Sequence, residues 1–346
     1  MGCAVMQSAA QQIKQQVKQC HINDINDLPA FLAEQTAPIV IKGICAHWPM
    51  VQNAQLGDTH ALKYLKSIAS NSPVRAFTAK EKEQGRYFYN ADMTDLNFTQ
   101  YASTLVELIT TLEQSLTTDN SDSYYMGSTA CDYCAPEFTI KNPLEVTTHS
   151  CLKSLWVGNH SRIAAHYDNA DNLACVGAGS REFILFSPEQ VNNLYIGPLE
   201  FTPAGQAVSL VDFTAPDLNR FPRFQNALNS AQIAKLEPGD GIFIPALWWH
   251  HVSAHSQFNV LVNYWWRQAP DYLANPFDAM LHSMLAIKDL PQSQQTHWQQ
   301  FFDHYVFSNN KDIGDQIAPH AKGILGDIDE QTARRIRQLL LQKLNR

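Results

Sequence analysis

Hydrophobic positions recur at short range through the middle of this chain and at helical spacing toward its end. Runs such as Pro38-Ile39-Val40-Ile41-Lys42-Gly43, Glu182-Phe183-Ile184-Leu185-Phe186 and Gly241-Ile242-Phe243-Ile244-Pro245 are short, rich in β-branched and aromatic residues, and bounded by turn residues. They predict buried strands. After Arg267-Gln268-Ala269-Pro270 that character stops, and helices are expected over 277–288, 294–302 and 330–344. In the last of these Ala333, Ile336, Leu340 and Leu344 mark one stripe, widened by Leu339 and Leu341. Asp327 followed by Glu330 offers a capping-box-like start. Earlier, helices are expected over 29–34, 61–69 and 101–115, with a strand near 86–89 and a turn at Trp48-Pro49. At the start, Ile13, Val17 and Cys20 recur among glutamines and lysines, which predicts a short amphipathic helix. Residues 117–122 are polar and read as an exposed loop. Frequent proline between Glu189 and Lys235 excludes regular structure for much of that section, leaving a large connection.

This pattern describes a mainly β protein with flanking helices. Its expected divisions are an N-terminal helix over 1–24, a β-rich domain over 25–270, and a helical region over 271–346. With 45% hydrophobic residues the chain can bury a substantial core. Its net charge of -8 is spread without a long acidic or basic run, so nothing suggests a phosphate-tracking surface or attachment to an anionic membrane. Nucleic acid is therefore not the expected partner, although a small polar contact with an RNA such as tRNA stays open. Met1-Gly2-Cys3-Ala4-Val5-Met6 does not read as a signal peptide, and no run is long enough for a membrane span. Seven scattered cysteines argue against a disulfide framework and for a reducing compartment, with the cytoplasm as the expectation. The solitary Cys131-Asp132-Tyr133-Cys134 reads as ordinary thiols before zinc or redox chemistry.

The chemistry concentrates in two stretches, Ala165-His166-Tyr167-Asp168 and Trp248-Trp249-His250-His251. On a strand His166 and Asp168, two apart, would share a face. One histidine of the second stretch can complete a set of two imidazoles and one carboxylate, a donor set suited to non-haem Fe(II). A His-x-Asp alone is common by chance. Its company near apolar strands favours a metal, because buried ionisable groups need partners.

The run from Ser154 to Trp266 resembles the JmjC-type, cupin-like (cupin 8) family of Fe(II) and 2-oxoglutarate oxygenases, particularly its asparaginyl hydroxylases of hypoxia-inducible factor. The resemblance rests on the two stretches above, on Pro216-Asp217-Leu218-Asn219-Arg220-Phe221-Pro222-Arg223-Phe224-Gln225-Asn226, and on Val262-Asn263-Tyr264-Trp265. It implies a double-stranded β-helix, a metal held by His166, Asp168 and His250, and 2-oxoglutarate bound as cosubstrate by Tyr125, Asn172, Arg181 and Asn263. Trp265 would lie beside the metal, with His251 facing away or supporting it. Two departures stand out. Arg181 replaces a lysine and Ile163 replaces a threonine whose hydroxyl helps hold the distal carboxylate, so one arginine would have to make both contacts. The activity implied is O2-dependent hydroxylation of a protein side chain or another substrate. N-methyl demethylation and a non-catalytic metal-binding cupin are the alternatives, and a homodimer through the C-terminal helices is also implied.

Overall fold

The computed structural model describes residues 7–118, 121–308 and 313–345. The opening hexapeptide, with Cys3, and part of the loop expected over 117–122 lie outside them. The strands follow the chain as β1 (Gln15–Gln16), β2 (Lys18–His21), β3 (Ile39–Lys42), β4 (Pro73–Ala79), β5 (Arg86–Tyr87), β6 (Phe98–Thr104), β7 (Ser123–Ala130), β8 (Cys151–Gly158), β9 (Ser161–His166), β10 (Asp171–Ala178), β11 (Arg181–Phe186), β12 (Gln232–Leu236), β13 (Gly241–Ile244), β14 (Trp249–Ala254) and β15 (Asn259–Trp266). They form a six-stranded sheet, β1-β12-β11-β14-β9-β5, and a nine-stranded sheet, β2-β3-β13-β10-β15-β8-β7-β4-β6. From β8 to β15 the chain changes sheet at every step except β11 to β12. That winding is a double-stranded β-helix.

Alternation along each strand decides which side chains reach the space between the sheets. On β10, Leu173 and Cys175 join the core beneath the helices, while Ala174 and Val176 point between the sheets to meet Phe183, Leu185, Val252 and Leu261. On β11, Ile184 and Phe186 face the opposite way, into a second core with Phe213 and Phe224. Covered on both faces, β10 is buried along its whole length. Asp171 and Asn172 are therefore polar residues at the start of a buried strand, and both belong to the site described below.

The helices of this part are α1 (Ala9–Gln12), α2 (Leu28–Ala33), α3 (Pro49–Gln55), α4 (Asp58–Ile68), α5 (Leu105–Ser115), α6 (Cys131–Cys134), α7 (Phe138–Lys141) and α8 (Phe224–Ser230). α3, α4 and α5 cover the outer face of the larger sheet through Met50, Leu62, Leu65, Leu108 and Leu112. Pro49, expected in a turn, is the first residue of α3, where its missing N–H costs nothing. α5 starts later than the expected 101. Thr104 caps it by accepting from the Glu107 amide, the Thr104 amide in turn donates to the Glu107 carboxylate, and the residues leading into the cap are strand β6.

The expected N-terminal helix is largely absent among the described residues. α1 ends at Gln12, and the chain then runs as β1 and β2. β1 pairs with β12 in one sheet and β2 with β3 in the other, while Val17 between them is buried in the inter-sheet core. Cys131 and Cys134 are buried in and around α6, and burial pushes each thiol up to about 12, so neither supplies a thiolate at neutral pH.

The chain divides into two compact units, Met1–Gln268 and Ala269–Arg346. The second contains α9 (Pro276–Ile287), α10 (Gln292–Phe302) and α11 (Glu330–Leu344). The cap of α11 is Asp329, which accepts from the Thr332 amide at 2.7 Å, rather than the expected Asp327. Of the described residues in this unit only Gly314 and Ala333 are buried. No helix among the described residues is long and apolar enough to cross a membrane.

Candidate metal centre

His166 and His250 face each other across the β9–β14 ladder, with ring centroids 4.4 Å apart. The pairing contains an irregularity: two steps along β14, from His250 to Val252, oppose three along β9, from His166 to Ile163. A bulge of this kind re-aims side chains. It lets His166 meet His250 while Ile163, three residues back, packs with Tyr125 and Trp156.

The spacing of His166 and Asp168 predicts a shared strand face, but β9 ends at His166 and Asp168 lies in the turn that follows. Hydrogen bonds hold it there instead. Its carbonyl accepts from the Leu247 amide at 2.8 Å. Its Oδ2 accepts from Asn172 Nδ2 at 3.2 Å and Trp265 Nε1 at 3.1 Å. Candidate ligand atoms of His166, Asp168 and His250 thus come within 4.8 Å of one another.

The ring nitrogens fix which atoms of the two histidines face the cluster. His166 Nδ1 is 2.9 Å from the Ala164 carbonyl, and His250 Nδ1 is 3.0 Å from the Trp248 carbonyl. A carbonyl can only accept, so each Nδ1 donates and each Nε2 of a neutral ring presents a lone pair. Burial, and then the neighbouring His166, hold His250 well below the ordinary histidine range, so it is neutral at pH 7. His250 Nε2 therefore faces Asp168 Oδ2 at 3.7 Å with no proton between two acceptors. A divalent cation satisfies that arrangement. His251 takes the opposite strand face, stacked on Phe213 at 4.5 Å, with Nε2 3.2 Å from Ser253 Oγ. Burial and then Arg162 push it down to about 3.

Beyond the histidines and Asp168, the inner faces of both sheets supply polar groups with unfilled bonding capacity. Arg181 is only 4% exposed, forms no ion pair among the described residues, and has a buried Nε without an acceptor. Burial pushes its guanidinium down to about 10, which leaves it cationic at neutral pH. Burial raises the Tyr125 phenol, opposed by the charge of Arg181, so Tyr125 is a neutral hydrogen-bonding group. Asn263 donates to Asn172 Oδ1 at 2.6 Å and keeps its own Oδ1 unpaired.

Trp156 completes the lining and is absent from the sequence-derived set. Its indole N–H is buried without an acceptor, and its ring packs 5.8 Å from Tyr125 and 5.9 Å from Trp265. The available signal was alternation in β8, because Leu155 and Val157 turn outward and leave Trp156 facing in. A buried cation with unpaired donors around it suits an anionic ligand. The donor set of the centre and this lining therefore fit a divalent metal together with a carboxylate cosubstrate.

Residues 26–272 match the family model described as a cupin-like domain. The chain belongs to that family. Among similar curated proteins, lysine-specific demethylase JMJ31 of Arabidopsis thaliana is 24% identical over 222 residues, covering 58% of this chain and 40% of the relative. tRNA wybutosine-synthesizing protein 5 of Danio rerio is 41% identical over 105 residues, 30% of this chain and 29% of the relative. Lysine-specific demethylase 8 of Xenopus tropicalis is 26% identical over 238 residues, 66% of this chain and 48% of the relative. Each match spans less than half of the relative's own length. The JmjC-type, cupin-like resemblance read from the motifs and this family membership agree.

Proposed function

We propose that this cupin-like protein is an Fe(II)- and 2-oxoglutarate-dependent oxygenase that hydroxylates a protein side chain or another organic substrate. The observation that carries the reading is a buried, uncompensated arginine on the ladder that also bears a histidine of the metal centre. Arg181 pairs with Ala254 and Leu185 with His250, so the two functional positions are separated by four residues along the β11–β14 ladder. At about 3.4 Å per residue that is roughly 14 Å between backbones, a span suited to two side chains and a short dicarboxylate between them.

His166, Asp168 and His250 would hold the metal and leave positions for other ligands. Asn172 and Trp265 fix the Asp168 carboxylate through Oδ2, which limits its rotation. Arg181 would take the distal carboxylate, its planar fork making two contacts where Ile163 offers no hydroxyl. Tyr125 and Trp156 would add donors and shield the pocket from water. When bound, iron and 2-oxoglutarate supply O2 activation, with one oxygen atom going to the substrate and the other to succinate as CO2 leaves.

Purified protein with Fe(II), ascorbate and 2-oxoglutarate is expected to release succinate slowly without added substrate. Failure both to release succinate and to bind 2-oxoglutarate would sink the reading in favour of a non-catalytic cupin. N-methyl demethylation is the second reading, favoured by relatives named as lysine-specific demethylases. Formaldehyde release from methylated peptides separates it from stable hydroxylation.

A further inference from the structure

Leu247 adopts a left-handed backbone conformation, φ 69°, in the turn leading to His250. Glycine takes that conformation freely, whereas the Cβ of leucine crowds the following carbonyl. The conformation persists because hydrogen bonds over-determine the turn. The Leu247 amide donates to Asp168 O at 2.8 Å, and Trp248 N–H donates to Pro245 O at 3.2 Å. The preceding amide, Ala246, donates to Asp171 Oδ1 at 2.9 Å. The other oxygen of Asp171 accepts from Gln268 Nε2 at 2.7 Å. Asp171 is 6% exposed and stands at the first position of β10. One carboxylate thus ties the turn before β14 to the residues following β15.

That turn also orients His250, because its Nδ1 is bound to the Trp248 carbonyl. We propose that Asp171 is a positioning residue that maintains the left-handed turn at Leu247 and thereby aims His250 Nε2 at the metal. The proposal rests on the metal reading above. It further assigns the strain at Leu247 to that reading: the backbone is held so that the Trp248 carbonyl meets the histidine ring.

Co(II) serves as the probe, read by titration and by its visible ligand-field spectrum, and the melting temperature of the metal-free proteins is measured alongside. Asp171→Ala is expected to weaken Co(II) binding about tenfold and to alter the spectrum, within the usual effect of removing a group that orients a ligand. Leu247→Gly, which removes the conformational penalty, is expected to restore most of that loss when combined with Asp171→Ala. Asp171→Asn keeps an acceptor for Ala246 but not for both donors, so it should lie between the two and carries the comparison if the alanine variant does not fold. Wild-type Co(II) affinity and spectrum in Asp171→Ala, or no recovery in the double variant, would overturn the proposal. A wild-type protein that fails to bind Co(II) would instead refute the metal reading. In that case the metal-free proteins still report the coupling: Asp171→Ala should lower the melting temperature less in the Leu247→Gly background, and equal lowering would overturn it.

Discussion

Arg181 is a buried cation that forms no ion pair among the described residues. A buried guanidinium with an unpaired Nε should discriminate sharply between an empty pocket and one holding a dicarboxylate. Arg181→Ala is expected to weaken 2-oxoglutarate binding by about a hundredfold or more, the loss of a charge-assisted contact worth roughly 3 kcal/mol, while Co(II) affinity stays unchanged. Calorimetric titration of both ligands checks this, and unchanged 2-oxoglutarate affinity would place the cosubstrate elsewhere. The paired histidines give a second contrast. His250→Ala should abolish stoichiometric Co(II) binding, whereas His251→Ala should retain it, because that ring lies on the other strand face against Phe213. Equal loss in both variants would reverse the assignment. His166, Asp168 and Arg181 are chemically conspicuous in the sequence because charged or metal-binding types stand among apolar runs. Trp156 is not, since an indole in a strand reads as packing until its unpaired N–H is seen.

At the scale of strands and helices, an element is legible in the sequence to the extent that the contacts that fix it are local. β11 and β13 stand out as short apolar runs, and α11 spans the range its stripe implies. The N-terminal segment does not, because Ile13, Val17 and Cys20 fit a helix by spacing while the true partners of the segment, β12 and β3, are remote in sequence. Strand alternation points to Asp168, yet its side chain reaches the centre through the segment after β9, held by Leu247, Asn172 and Trp265. The turn by which the chain crosses from β10 in one sheet to β11 in the other supplies a test of the framework itself. Gly179 has φ 71°, and a Cβ there would lie 2.3 Å from Asn259 Oδ1 and 2.5 Å from the Phe258 carbonyl. Gly179→Ala combines a forbidden contact with a disfavoured conformation, so it is expected to destabilise the protein by more than about 1 kcal/mol. Denaturant unfolding measures that loss, and an unchanged midpoint would contradict the packing at this turn.

For the whole molecule, the contrast is between a first unit with extensive cores and a second in which Ala333 is the one buried side chain, beside Gly314, among its described residues. Leu339, Leu340, Leu341 and Leu344 of α11 are exposed, as are Leu285, Trp298 and Phe301 on the preceding helices. Apolar surface on this scale needs a cover. We propose that a second copy of the chain provides it, giving a twofold dimer through the helical unit. Light scattering on the full chain at micromolar concentration should give the dimer mass, and replacing Leu340 and Leu344 together by glutamate should give the monomer. A monomeric wild-type chain would remove the proposal.

The winding of β8 to β15 between two sheets also bears on the order in which the protein assembles. β9 and β14 are neighbours although β10 to β13 lie between them in the chain, so the metal site depends on contacts distant in sequence. Chains dominated by such contacts fold slowly, and a ligand that needs the finished pairing cannot guide the early steps. Added Co(II) should therefore slow unfolding of the native protein while leaving its refolding rate unchanged. Stopped-flow refolding that accelerates with Co(II) would mean the site forms early, before the second sheet closes over the first.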